Sequence, residues 1–143
     1  MLQGSAIRAP FLIVASAAIV LALGVLHLVY TFRGVKLHPR DHALEARMQE
    51  VSPGISRQTT MWKAWVGFNA SHGCGAILFG AIYGYLALAE PEFLFGSKYL
   101  CAVGALMLAS YLALARLYWF NVPYRGILVA TVCYVGGVML AWA

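Results

Sequence analysis

The chain has 143 residues, of which 62% are hydrophobic and only 10% are charged. Soluble domains average roughly 45–50% apolar residues, so this composition excludes an ordinary soluble domain and indicates a membrane protein of single-domain length. Ten Lys and Arg against five Asp and Glu give a formal charge of +5. In a soluble protein that excess would suggest nucleic acid as a partner, but here the basic residues follow the predicted membrane boundaries, which disfavours nucleic-acid binding.

Four apolar segments are each long enough to cross a bilayer core of roughly 30 Å, which takes about 20 helical residues. They cover approximately residues 10–32, 61–88, 99–120 and 126–142. Their apolar character is continuous rather than alternating, which predicts helices and not barrel strands. The stretch "NVPYR" with Pro123 predicts a tight turn between the third and fourth spans. The sequence therefore predicts an all-α fold, an up-down bundle of four transmembrane helices that forms a single domain over residues 1–143.

Basic residues are concentrated on one side of the predicted membrane. The loop at residues 33–60, the turn between the third and fourth spans, and the adjoining span ends share this side. They hold eight of the ten Lys and Arg, namely Arg33, Lys36, Arg40, Arg47, Arg57, Lys63, Arg116 and Arg125. The positive-inside rule assigns that side to the cytoplasm. We expect a protein of the bacterial inner membrane with both termini outside and the long loop cytoplasmic.

The long loop contains a predicted short amphipathic helix. Pro39 suits the first helical position, Asp41 favours the N-terminal end of the helix dipole, and the stretch "SPG" from Ser52 ends the helix. Because its basic residues would be attracted to anionic headgroups, we expect this helix to lie on the inner leaflet.

The sequence does not indicate a metal site. His38, His42 and Glu45 are neighbours in the loop, but the position before Pro39 is disfavoured in a helix, so a solvated charged surface is the better interpretation. A zinc ion would need at least three protein ligands, and no acidic residue lies inside any span. The three cysteines lie in spans without a C-x-x-C pair and are interpreted as packing residues: Cys74, Cys101 and Cys133.

Small residues recur at about four-residue spacing in every span, and this spacing lets helix backbones approach closely. The second span carries Gly67, Ser71 and Gly75, followed by the pair Gly80 and Gly84. The other spans carry Ala18 and Ala22, then Cys101, Ala105, Ala109 and Ala113, then Cys133, Gly137 and Ala141. Packing inside one bundle is the favoured interpretation, and a homo-oligomer formed through these faces is the alternative that the spacing leaves open.

A polar patch interrupts the second span. Asn69 and His72 are three residues apart, so they share a helix face with Trp65 and Ala76, and this face is distinct from that of Gly67, Ser71 and Gly75. One other histidine lies well inside a predicted span, and it is His27 in the first span.

The two histidines are predicted at comparable depth in the cytoplasmic half of the membrane. Counted from Arg33 and Lys63, His27 lies roughly 9 Å deep and His72 roughly 14 Å deep, at about 1.5 Å per residue. A tilt of the helices could bring them together in a pocket open to the cytoplasm. The Arg116 side chain either extends outward to the membrane surface or places a positive charge at the opening of that pocket. The predicted ligand-binding residues are His27, Trp65, Asn69, Ser71, His72 and Arg116.

Three functions are compatible with this patch, beside simple hydrogen bonding between helices at about 0.6 kcal/mol per contact. The first is a non-enzymatic integral membrane protein that binds a lipid or small hydrophobic ligand there, since ionisable residues inside spans usually mark functional sites. The second is a small membrane enzyme that uses His72 as an acid or base, although no carboxylate within the spans could partner it. The third is a haem b protein with His27 and His72 as axial ligands.

Three stretches of the chain carry a resemblance: "HLVYTFRGVKLHPRD", "SRQTTMWKAWVGFNASHG" and "LFGAIYGYLAL". They resemble a family of small, uncharacterised bacterial membrane proteins with four spans and a second helix of the GFNxSH type. The resemblance covers mainly the first two spans and the loop between them. It implies one compact four-helix membrane protein and directs attention to His27, Asn69, Ser71 and His72, without an activity to carry over.

Overall fold

The computed structural model describes residues 2–143, with side chains from Arg8 onward. These residues form six helices and no strand: α1 (Leu2–Phe32), α2 (His42–Glu50), α3 (Met61–Ala89), α4 (Pro91–Gly96), α5 (Lys98–Tyr118) and α6 (Asn121–Trp142). Four of them, α1 from Arg8 onward, α3, α5 and α6, are long and apolar enough to cross a membrane. The predicted all-α fold with four spans, and a short helix between the first two, is confirmed, and the chain is a multi-pass membrane protein.

Two predicted helix starts are wrong, and in both cases the error concerns a proline. Pro123 does not make the turn before the last span, because α6 already begins at Asn121 and Pro123 lies in its first turn. The N–H groups of a first turn have no partner inside the helix, so proline is tolerated there. Pro39 does not begin α2 either. Asp41 is the N-cap instead, and its carboxylate accepts hydrogen bonds from the backbone N–H groups of Ala43 and Leu44 at 2.9 and 3.4 Å.

The chain divides into two compact units. The four-helix unit consists of the residues up to Leu23 together with Ala76–Ala143, and the linker unit consists of Gly24–Gly75. Helices α1 and α3 each contribute residues to both units.

The four-helix unit contains the hydrophobic core. Side chains from all four spanning helices and from α4 form it, including Ile13, Val20, Phe79, Tyr83, Leu94, Leu108, Ile127 and Tyr134. Helix α1 approaches α3 and α6 very closely in this unit. A Cβ atom at Gly80 would lie 2.6 Å from the carbonyl oxygen of Ala17, and one at Gly137 would lie 3.0 Å from that of Ala9. Glycine at these two positions allows backbones to touch where lipid supplies no hydrophobic drive between helices.

The small-residue faces are only partly those that the four-residue spacing predicted. Gly80 and Gly84 do face α1, but Gly67 and Ser71 are exposed, and a Cβ at Gly67 would meet no atom within 4 Å. Further predicted positions that are exposed include Ala18, Ala22, Ala109 and Ala113. In the run from Cys101 to Ala113 the reason is geometric, since a helix has 3.6 residues per turn and each four-residue step therefore rotates by about 40°. A run of four such positions leaves the buried face.

The linker unit brings the end of α1 against the start of α3. Gly73 of α3 lies close to Leu28 and to the carbonyl oxygen of Gly24, both in α1. Residues 33–60 connect these two helices, and the backbone N–H of Met61 bonds to the carbonyl of Val51 at 2.8 Å. Helix α2, within this connection, has no buried residue. The backbone of the connection is therefore bonded to the start of α3 through Val51.

Candidate functional site: a histidine and asparagine cluster in the linker unit

Two histidines from different spanning helices are in contact. His27 of α1 and His72 of α3 have ring centroids 5.1 Å apart and ring planes inclined by 76°, an edge-to-face arrangement. Both side chains are half-buried. The depths counted along the sequence differ by about three residues, and the structure brings the two rings together all the same.

Asn69 fixes the orientation and protonation of His27. The side-chain Nδ2 of Asn69 donates to the carbonyl oxygen of Trp65, one helical turn earlier, at 2.8 Å. Its Oδ1 atom therefore faces Nε2 of His27, at 3.0 Å. An amide oxygen only accepts hydrogen bonds, so Nε2 of His27 carries the proton and donates it. In the neutral ring the lone pair then lies on Nδ1, and His27 presents a hydrogen-bond acceptor at that atom.

Trp65 connects the cluster of His27, Asn69 and His72 to the linking segment, which is residues 33–60. Its indole Nε1 donates to the carbonyl oxygen of Leu37 at 3.0 Å, while its own carbonyl accepts from Asn69. On α1, Thr31 donates to the carbonyl of His27 at 2.8 Å. Side chains of both helices and one carbonyl of the linking segment therefore hold the cluster in place.

A second polar pair joins the residues before α2 to α2 itself. Nδ1 of His38 is 3.0 Å from Oε1 of Glu45, and the two side chains are only 26% and 19% exposed. The ring of His38 also packs against Trp62, with centroids 4.7 Å apart. The prediction of a solvated charged surface is therefore wrong for His38 and Glu45, although it describes the exposed His42. Among the residues with described side chains, no group of three or more His, Cys, Asp or Glu is arranged to hold a metal ion.

A narrow crevice lies beside the cluster. It is lined by Thr31, Leu37, His38, Trp62, Trp65, Val66 and Asn69. The space inside it is about 10 Å³, which is room for about one water molecule. Of the cluster, Asn69 reaches this crevice and the two histidine rings do not. A larger ligand would need the tryptophan side chains or the linking segment to move.

Two predicted site residues lie apart from the cluster. The hydroxyl of Ser71 donates to the carbonyl of Phe68 at 3.0 Å, and the Ser71 side chain is exposed. Arg116 belongs to the four-helix unit, where it lines a surface cleft with Ala115, Trp119, Asn121 and Tyr124. The structure thus brings together His27, Asn69, His72 and Trp65 from the predicted set.

Nothing in the sequence indicates the carbonyl of Leu37, and the sequence predicts His38 and Glu45 as part of a solvated surface and not as a bonded pair. A backbone carbonyl carries no sequence signal, and the His38–Glu45 pair spans seven residues across Pro39. The bond between Asn69 and Trp65 could have been found, since residues four apart are neighbours on a helix.

The edge-to-face contact between His27 and His72, with ring centroids 5.1 Å apart, leaves no gap between the rings for the plane of a haem.

Comparisons of the sequence with protein-family models and curated proteins, and of the structure with solved structures, find no match. The resemblance to a family of small four-span bacterial proteins stays a prediction.

Proposed function

We propose that this protein is an integral protein of the bacterial inner membrane that binds a lipid or small hydrophobic ligand at the cluster of His27, Asn69 and His72. In this proposal both termini are outside and residues 33–60 are cytoplasmic, as the distribution of Lys and Arg favours. The observation that carries the proposal is the contact between two imidazoles of different spanning helices beside an asparagine that orients one of them.

The position of the cluster supports a binding role. Polar and ionisable side chains within spans are costly and usually mark sites where a substrate, proton or ligand is handled. Here His27 lies six residues inside Arg33 on α1, and Asn69 and His72 lie six and nine residues inside Lys63 on α3. A ligand held at this depth would have an apolar body in contact with the helices and a polar group at the imidazoles.

The tautomer of His27 specifies the polar group further. Its Nε2–H is already used by Asn69, which leaves Nδ1 as an acceptor on the same ring. A ligand that bonds to His27 without disturbing Asn69 must therefore present a hydrogen-bond donor, such as a hydroxyl. An amphiphile with a hydroxyl-bearing headgroup fits that requirement.

Binding is favoured over catalysis at this site. A histidine that acts as a general acid or base is commonly oriented by a third group, often a carboxylate. All five acidic residues lie outside the spanning helices: Asp41, Glu45, Glu50, Glu90 and Glu92. His27 is oriented by a neutral amide instead, which suits recognition of a neutral donor.

The test is native mass spectrometry of the purified full-length chain, released from detergent. Wild type is compared with His72→Ala, with His72→Gln, and with His42→Ala, whose side chain is exposed on α2 and outside the cluster. We expect a discrete bound mass in wild type and His42→Ala that is lost in both His72 variants. Far-ultraviolet circular dichroism on the same samples shows whether each variant keeps its helices.

Retention of the same mass by both folded His72 variants would contradict the proposal. Absence of any bound mass in wild type, after extraction in more than one mild detergent, would also contradict it and would leave the cluster with a structural role. The mass itself distinguishes a lipid from a smaller metabolite.

A further inference from the structure

The linking segment carries cations that no carboxylate of its own unit neutralises. All three acidic side chains of the linker unit are engaged. Asp41 caps α2, Glu45 bonds to His38 at 3.0 Å, and Glu50 pairs with Arg47 at 3.1 Å. Four further cations of the segment and Lys63, at the start of α3, are exposed and make no ion pair within the described part of the chain; the four are Arg33, Lys36, Arg40 and Arg57.

Apolar side chains lie exposed among these cations. Val35 is 76% exposed, Leu44 is 51% exposed and Ile55 is 95% exposed. Transfer of an exposed aliphatic side chain from water into an apolar phase lowers the free energy. A surface that combines free cations with exposed aliphatic side chains is typical of segments that lie in a membrane interface, where both find partners.

The aromatic residues at the ends of the segment agree with an interfacial position. The Nζ of Lys36 lies 4.2 Å from the ring centroid of Tyr30, and Trp65 is 43% exposed at the start of α3. Tyrosine and tryptophan are enriched where spans leave the hydrocarbon core. Residues 33 and 60 adjoin α1 and α3, so the segment is tethered at both ends to helices that can cross the membrane.

From this arrangement we infer that residues 33–60 bind anionic phospholipid headgroups on the surface of the membrane that their own helices cross, and select them over zwitterionic ones. This binding is separate from the proposed function, since none of the five cations belongs to the cluster of His27, Asn69 and His72. Nucleic acid is the less favourable polyanion, because Val35, Leu44 and Ile55 would stay exposed beside it.

The test measures lipid binding to the full-length chain in detergent by native mass spectrometry, with phosphatidylglycerol and phosphatidylcholine titrated in parallel. The test variant combines Lys36→Gln and Arg57→Gln. The matched control removes the two exposed cations that the charge distribution places on the other side of the membrane, by Arg8→Gln and Lys98→Gln. Each basic residue near an anionic surface contributes about a fivefold change in affinity, so we expect the preference for phosphatidylglycerol to fall about 25-fold in the test variant.

We expect the control variant to keep the preference of wild type, and added salt to weaken the wild-type preference. Equal affinity of wild type for the two lipids would overturn the inference, and so would an equal loss in the two variants. Tighter binding of a single-stranded oligonucleotide than of phosphatidylglycerol would overturn it in favour of nucleic acid. The ligand mass that tests the cluster is read on the same samples, so the two proposals fail separately.

Discussion

The two units of this protein place their polar side chains differently, inside a packed core in one unit and beside a crevice in the other. In the four-helix unit, the hydroxyls of Tyr83 and Tyr134 donate to the backbone carbonyls of Leu100 and Cys101, at 2.7 and 3.1 Å, inside a packed core. In the linker unit, His27 and Asn69 bond to each other beside a crevice, and His72 contacts His27. Bonds to the backbone in a closed core fix helix positions. A side chain that bonds to another side chain can exchange that partner for a ligand, which is what the proposed binding site requires.

The largest effect that separates the units concerns two glycines of α3. At Gly80 in the four-helix unit, a Cβ would lie 2.6 Å from the carbonyl oxygen of Ala17, a backbone atom that cannot rotate away. At Gly67 in the linker unit a Cβ would meet nothing within 4 Å. We expect Gly80→Ala to destabilise the protein by about 2 kcal/mol through overpacking, and Gly67→Ala to be neutral or stabilising by up to about 1 kcal/mol. Thermal unfolding in detergent measures both.

Equal unfolding temperatures for the two glycine variants would contradict the packing of α1 against α3 in the four-helix unit. A loss of stability in Gly67→Ala alone would contradict this packing more strongly. It would indicate that another helix covers the exposed face, as in a homo-oligomer.

A smaller effect is expected from the buried hydroxyl of the four-helix unit. Tyr134 is 1% exposed, and Tyr134→Phe removes the hydroxyl that donates to the carbonyl of Cys101 and also makes hydrogen-bond contact with the Tyr83 side chain. A hydrogen bond of this kind contributes about 1 kcal/mol, so a loss of about that size is expected in the free energy of unfolding. Tyr85→Phe is the control, because Tyr85 is 61% exposed on the same helix as Tyr83. An equal loss of stability in Tyr134→Phe and Tyr85→Phe would mean that the loss does not come from the buried bond to Cys101.

In the linker unit, the bond between His27 and Asn69 is expected to contribute less to stability. Interhelical side-chain hydrogen bonds in membrane proteins average about 0.6 kcal/mol. A double-mutant cycle with His27→Leu, Asn69→Leu and the pair isolates this coupling from the effects of either single change. A coupling above roughly 2 kcal/mol would show that the cluster holds the fold together, and would remove the contrast between the units.

Much of the fold can be predicted because it depends on the length and continuity of apolar segments. The apolar pattern predicts the second span at 61–88, and the helix is observed at Met61–Ala89. The predicted start of the last span is five residues late, because Pro123 resembles a turn residue in sequence but lies in a first helical turn. The short helix α4 is not predicted. It lies between two spans, where neither length nor apolar continuity gives a signal.

The cluster can be predicted only in part. Helical spacing places Asn69 and His72 on one face with Trp65, and the structure agrees. Which side chain of another helix they meet depends on tilt and rotation, which no local pattern specifies, so the sequence permits the contact with His27 without requiring it. Ser71 belongs to the predicted set because the family resemblance directs attention to it, but its hydroxyl bonds to the carbonyl of Phe68 and its side chain is exposed.

The smallest effect on stability, and the most specific one, is expected at the junction between the cluster and the linking segment. Trp65→Phe keeps an aromatic ring but removes the bond from Nε1 to the carbonyl of Leu37, so a change in the free energy of unfolding of about 0.5 kcal/mol or less is expected. The same change releases one wall of the crevice, and hydrogen exchange should quicken at residues 35–40 while the four-helix unit is unaffected. Trp142→Phe is the control, since it removes an equivalent indole bond to the carbonyl of Phe95 within the four-helix unit. Unchanged exchange at residues 35–40 would mean that Trp65 does not hold the linking segment against the cluster. Faster exchange confined to those residues would mean that one hydrogen bond controls a movement that could enlarge the crevice for a ligand.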